Sequence, residues 1–109
     1  DLVAGVEALA DAYGLTIVCF GHAGNGNLHV NLLYHPDDAD ETARARAALP
    51  QVFELALALG GTLSGEHGIG LSKREFMARA YDASTLAAMR AVKHAFDPDG
   101  ILNPGTLLP

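Results

Sequence analysis

The sequence predicts an α+β domain, a small antiparallel sheet covered by helices. Two short apolar runs, Leu15 to Phe20 and Leu28 to Tyr34, are spaced as the strands of a hairpin. Stretches on both sides of them repeat apolar residues every three or four positions, the helical period. The 109 residues, half of them apolar, suffice for one compact unit with a single core and are too few for two.

Residues 2 to 13 carry Leu2, Val6, Leu9, Ala10 and Tyr13 at helical spacing, with Gly14 as the stop. Leu15 to Phe20 is continuously apolar and reads as a strand buried on both faces. Leu28 to Tyr34 alternates, setting His29, Asn31 and Leu33 against Leu28, Val30, Leu32 and Tyr34. After the loop His35-Pro36-Asp37-Asp38, Asp40 is the expected N-cap of a long helix reaching about Leu59. Its buried stripe is Ala45, Ala48, Leu49, Val52, Phe53, Ala56 and Leu59. Pro50 within it has no N–H to give and is expected to kink the helix or start a second segment. Gly60-Gly61 ends it, and Thr62 to Ser64 reads as a brief strand before the glycine-rich loop Gly65 to Gly70. Ser72-Lys73-Arg74-Glu75 has the form of a capping box opening a short helix. Asp82 caps a further helix on which Leu86, Met89, Val92, Lys93 and Phe96 recur. The turn Asp97 to Gly100 leads into an extended tail, ILNPGTLLP.

Bulk properties exclude several classes. A formal charge of −6 and the lack of a basic stripe argue against nucleic acid as a partner. No apolar run approaches the length of a membrane span. The single cysteine, Cys19, allows no internal disulfide and reads as a small core residue. It fits a reducing compartment, so the expected location is cytoplasmic, with peripheral attachment at the inner face of the membrane as a variant. Beginning at Asp1 and ending on Leu107-Leu108-Pro109, the chain reads as a piece of a longer protein.

The chemistry-bearing residues gather in two loops. In CFGHAGNGNLHVN, His22 leaves one strand and His29 enters the next, so antiparallel pairing draws the two imidazoles together. Glycines 21, 24 and 26 permit positive φ at the tip. Two neutral imidazoles begin a metal site, and a divalent ion such as zinc needs a third, harder ligand. Glu66, in Ser64-Gly65-Glu66-His67-Gly68-Ile69-Gly70, supplies one and leaves a position open. His67 beside it is then available as a base near neutral pH. The plainer alternatives are backbone-bonded hairpin histidines, a solvated loop carboxylate, and glycines that serve turn geometry. His35 and His94 are given no role. GHAGNG and GEHGIG do not spell G-x-G-x-x-G, and no Walker-type lysine follows, so a dinucleotide fingerprint is absent.

Together GHAGNGNLHVN, GGTLSGEHGIG and AFDPDGILNPG resemble, in order, the C-terminal domain of FAD-linked oxidases. D-lactate dehydrogenase, the glycolate oxidase flavin subunit and D-2-hydroxyglutarate dehydrogenase belong to that group. The resemblance runs from the first helix to the tail. It implies a ferredoxin-like fold, with residues 1–109 as the substrate or cap domain and FAD held mainly by an N-terminal domain absent from this chain. It implies a divalent metal, usually zinc, on His22, His29 and Glu66, with His67 as base. Asn31 falls near the substrate, and Asn103 where the family's tail approaches the flavin. The family's tip often reads G-D-G-N where this chain has Gly24-Asn25-Gly26-Asn27, which removes a negative charge near the cation while leaving a residue suited to a positive-φ turn.

The implied activity is FAD-dependent oxidation of a small D-2-hydroxy acid (lactate, glycolate or 2-hydroxyglutarate type) to the 2-oxo acid. In that scheme His67 takes the hydroxyl proton as a hydride leaves the α-carbon for the flavin. The isolated fragment is expected to be inactive. Implied partners are the N-terminal FAD domain and an electron-acceptor protein or quinone. Two rival readings are a non-catalytic metal-binding or interaction domain, and a cap whose histidines touch substrate without an ion.

Overall fold

A computed structural model of the chain describes the backbone of residues 1–109 and every side chain except that of Ala23. The elements are α1 (Leu2–Tyr13), β1 (Thr16–His22), β2 (Asn27–Leu33), α2 (Ala39–Ala58), α3 (Met77–Ala80) and α4 (Ala83–Phe96). Short 3₁₀ turns occupy Ala23–Asn25 and Arg74–Phe76. This is the expected α+β class. A ferredoxin-like sheet has four strands, and two, β1 and β2, are described here. Length alone argues for a single core, yet the chain divides into two compact units, Asp1–Glu66 and His67–Pro109. No helix among the described residues is long and apolar enough to cross a membrane.

In the first unit, α1 starts where the Asp1 carboxylate accepts the Ala4 N–H at 3.1 Å and stops at Gly14, whose φ of 57° is left-handed. Arg44 of α2 donates to the carbonyls of Tyr13 and Gly14 at 3.0 and 2.7 Å, satisfying acceptors at the end of α1. The helices approach closely at Gly5, where an added Cβ would lie 2.5 Å from a Leu55 methyl. Leu15, Ala45 and Ala48 form a buried cluster that Tyr13, Ile17 and Leu32 pack against, so the small alanines of α2 admit the inner face of the sheet.

The cap of α2 is Asp38 rather than the expected Asp40. Asp38 is extended, and its carboxylate accepts the N–H groups of both Asp40 and Glu41 at 3.0 Å, which pulls its own pKa down. Asp40 instead lies in the first turn and pairs with Arg44 at 3.0 Å. Pro50 starts no second segment: α2 runs through it without a break. Thr62 to Ser64 is not a strand. The Thr62 hydroxyl donates to the Ser64 carbonyl at 2.9 Å and curls the backbone, while Leu63 is buried.

The strands pair antiparallel with Thr16 opposite Leu33 and His22 opposite Asn27. One face therefore carries Thr16, Val18, Phe20, His22, Asn27, His29, Asn31 and Leu33. That face is open, with Val18 40%, Phe20 53% and Leu33 48% exposed, so β1 is not buried on both sides as its apolar run suggests. Cys19 points the other way and is half-buried, and that burial, with the Glu7 carboxylate, raises its thiol pKa.

In the second unit, Phe76, Met77 and Leu86 are buried. The expected capping box does not form. The first turn is 3₁₀, its N-cap position is Lys73, and no side chain caps it, because Ser72 stands one residue too early. Asp82 does cap α4, accepting the Thr85 N–H at 2.7 Å. Asp97 is buried and accepts from the Lys93 ammonium and from the N–H groups of Ile101 and Leu102 at 2.9 and 3.1 Å. The tail is turned rather than extended. Thr106 donates from its backbone to the Asn103 carbonyl at 3.3 Å, Leu107 to Gly70 at 2.9 Å, and Arg74 reaches the Gly105 carbonyl at 2.6 Å.

Candidate metal centre

Strand register places the first two candidate ligands. His22 ends β1 opposite Asn27, and His29 lies two residues along β2 opposite Phe20, so the imidazoles are diagonal neighbours on the open face. Their ring centroids are 6.3 Å apart at 72°. Phe20 lies beside His29 with centroids at 5.1 Å. The tip between them needs glycine at Gly21, with φ 145°, and at Gly26, with φ 68°. Gly24 is not among the positive-φ residues, and Asn25 sits in the 3₁₀ turn rather than in a left-handed position.

Glu66 arrives from the last residues of the same unit. Its Oε1 stands 3.3 Å from His29 Nε2, and its Oε2 accepts the Asn27 side-chain N–H at 2.9 Å. One donor atom each from His22, His29 and Glu66 lie within 4.8 Å of one another. The His29 side chain is 19% exposed and that of Glu66 44%, so the group opens to solvent on one side.

The donor chemistry fits a divalent ion. Tetrahedral zinc with bonds of about 2.0–2.1 Å places its ligand atoms roughly 3.3–3.4 Å apart, the separation already present between His29 and Glu66. Two imidazoles and a carboxylate also leave a fourth position for another ligand.

The other expected site residues are placed unevenly. Asn31 is exposed on the same face as His29 and one repeat further along β2, roughly 6.6 Å away by strand rise. His67 and Asn103 belong to the second unit. His67 follows Glu66 directly and is exposed. Asn103 has φ 44°, a left-handed conformation that asparagine tolerates better than most residues, which gives it a role in shaping the turned tail. Sequence reasoning passed over Asn27, counting it in the tip. The signal was the spacing Asn27-x-His29, which in a strand puts both side chains on one face.

A protein-family model described as FAD linked oxidases, C-terminal domain, matches residues 1–107. The chain belongs to this family. Among its relatives, the glycolate oxidase subunit GlcD of Bacillus subtilis is 40% identical over 107 residues, covering 98% of this chain and 23% of that protein. The D-2-hydroxyglutarate dehydrogenase of Stutzerimonas stutzeri is 44% identical over 94 residues, 84% of this chain and 20% of the relative. A probable mitochondrial D-lactate dehydrogenase of Danio rerio is 36% identical over 105 residues, 94% and 21% respectively. The chain thus spans about a fifth of the length of the relatives it matches. The matched region includes both loops and the tail.

Proposed function

We propose that this chain is the substrate-side domain of an FAD-dependent enzyme that oxidises a D-2-hydroxy acid to the 2-oxo acid. FAD would be held mainly by a preceding domain. The observation that carries the reading is the convergence of His22, His29 and Glu66 on the open face of the hairpin, in a family whose relatives are named for glycolate, D-lactate and D-2-hydroxyglutarate.

His22, His29 and Glu66 are the residues that would hold a divalent ion, with zinc the first candidate from the donor set. When bound, such an ion supplies Lewis acidity at a substrate oxygen, and FAD supplies the two-electron acceptor. The chain's own residues do the rest. His67, next to Glu66, takes the proton from the substrate hydroxyl, which leaves the α-carbon free to release a hydride. Asn31, on the face of His29, offers an amide to the substrate's polar groups. Asn103 is the residue we assign beside the flavin. Orientation of the hydroxyl against these groups is the domain's contribution to rate. The final electron acceptor in this reading is a protein or a quinone.

The test is anaerobic mixing of the full-length flavoprotein with D and L forms of lactate and 2-hydroxyglutarate, and with glycolate, while following flavin absorbance. Bleaching by glycolate or by one or more D acids, with the L acids inert, supports the proposal and names the substrate. Flavin that stays oxidised with every acid overturns it.

A further inference from the structure

The Asn27–Glu66 hydrogen bond goes beyond the three candidate ligands. A carboxylate has two oxygens, and which one faces a cation depends on what the other is doing. Here Oε2 is engaged at 2.9 Å by Asn27 Nδ2, while Oε1 is the oxygen 3.3 Å from His29 Nε2. The amide orientation is fixed by chemistry, since an ionised carboxylate only accepts and so must face the N–H₂ end of Asn27. The other end of the amide lies against Gly65, where an added Cβ would collide with Asn27 Oδ1 and Cγ. Strand alternation contributes a third element, for Asn27 opposes His22 directly and precedes His29 by one strand repeat. Asn27 thus shares a strand face with His22 and His29 and hydrogen-bonds the third candidate ligand, Glu66.

We infer that Asn27 is a positioning residue: its amide holds Oε2 of Glu66 so that Oε1 is the single oxygen offered to the cation, and glycine at 65 makes room for that amide. The inference rests on the metal reading above and deepens it. Ligating carboxylates are generally oriented by such outer partners, and losing one costs about 10–100-fold in metal affinity. A negative charge at this position would repel Glu66, and an apolar side chain would remove the hydrogen bond that holds Oε2.

The experiment is zinc affinity of the metal-stripped full-length protein, measured by competition with a chromophoric chelator. Five proteins are compared: wild type, Asn27→Ala, Gly65→Ala, Glu66→Ala, and the double variant Asn27→Ala with Glu66→Ala. Asn27→Ala is expected to weaken zinc binding by about 10–100-fold with an unchanged thermal midpoint. Gly65→Ala, which keeps Asn27 but displaces its amide, is expected to weaken binding in the same direction and stands in if Asn27→Ala does not fold. Once Glu66 is gone, removing Asn27 is expected to cost nothing more. Wild-type affinity in both Asn27→Ala and Gly65→Ala overturns the inference, as does an Asn27→Ala loss of equal size with and without Glu66. Zinc that fails to bind wild type overturns the metal reading itself, a result distinct from either of these.

Discussion

His29 Nε2 and Glu66 Oε1 stand 3.3 Å apart, although one belongs to a strand and the other to a loop that follows the long helix α2. An imidazole nitrogen and a carboxylate oxygen at this distance are held by an N–H between them or by a cation that both bind. The account predicts that a divalent cation takes that place in the working enzyme. His29→Ala and Glu66→Ala should each lower zinc affinity by more than the about 10–100-fold that an outer-shell change costs. Equilibrium dialysis with metal analysis checks this, and variants that keep wild-type zinc content would contradict it.

The proposed function gives His67 a different task from its neighbour. His67→Ala in the full-length enzyme should lower kcat by about 10²–10⁴-fold, the usual worth of a positioned acid or base, while zinc content stays at the wild-type level. Parallel loss of metal and turnover would show that His67 is a ligand rather than the base.

Asp97 is expected to make the second unit sensitive to acid. The Lys93 ammonium, aided by the Ile101 and Leu102 N–H groups, holds its carboxyl below the ordinary value of 3.8. A carboxyl lowered on folding binds fewer protons folded than unfolded, so its stabilisation is complete above about pH 4. It is lost as pH falls through 3.8 towards the folded value. Urea unfolding midpoints of wild type and Asp97→Asn should differ at pH 6 and converge towards pH 2. A gap that is constant with pH would contradict this.

Gly14 ends α1 at φ 57°, and a Cβ there would lie 2.9 Å from Arg44 Nη1, the atom that satisfies the last carbonyls of the helix. Gly14→Ala should therefore destabilise the chain by about 1–2 kcal/mol, the strain of a left-handed side-chain residue. Chemical denaturation measures it, and a neutral substitution would mean that the turn relaxes freely.

What could be read in the sequence was whatever local chemistry specifies. Alternation along Leu28 to Tyr34 gave the second strand, which runs Asn27–Leu33, and the face shared by His29 and Asn31. Helical spacing and a following Gly14 gave α1 and its end. Local signals failed where two of them competed. Asp38 and Asp40 are both good caps, and only backbone geometry selects Asp38. Val18 and Phe20 are apolar on an open face, which composition reads as burial. Asn27 and Glu66 lie 39 residues apart, so no local pattern could pair them, and the glycine at 65 reads as a turn residue until the amide beside it is seen.

The most direct test of the central claim is turnover of the full-length enzyme with its best D-2-hydroxy acid before chelation, after chelation, and after zinc is restored. Wild type should lose activity on chelation and regain it with zinc, while His29→Ala stays inactive throughout. Undiminished turnover in chelated wild type, with metal analysis showing no ion left, would contradict the account.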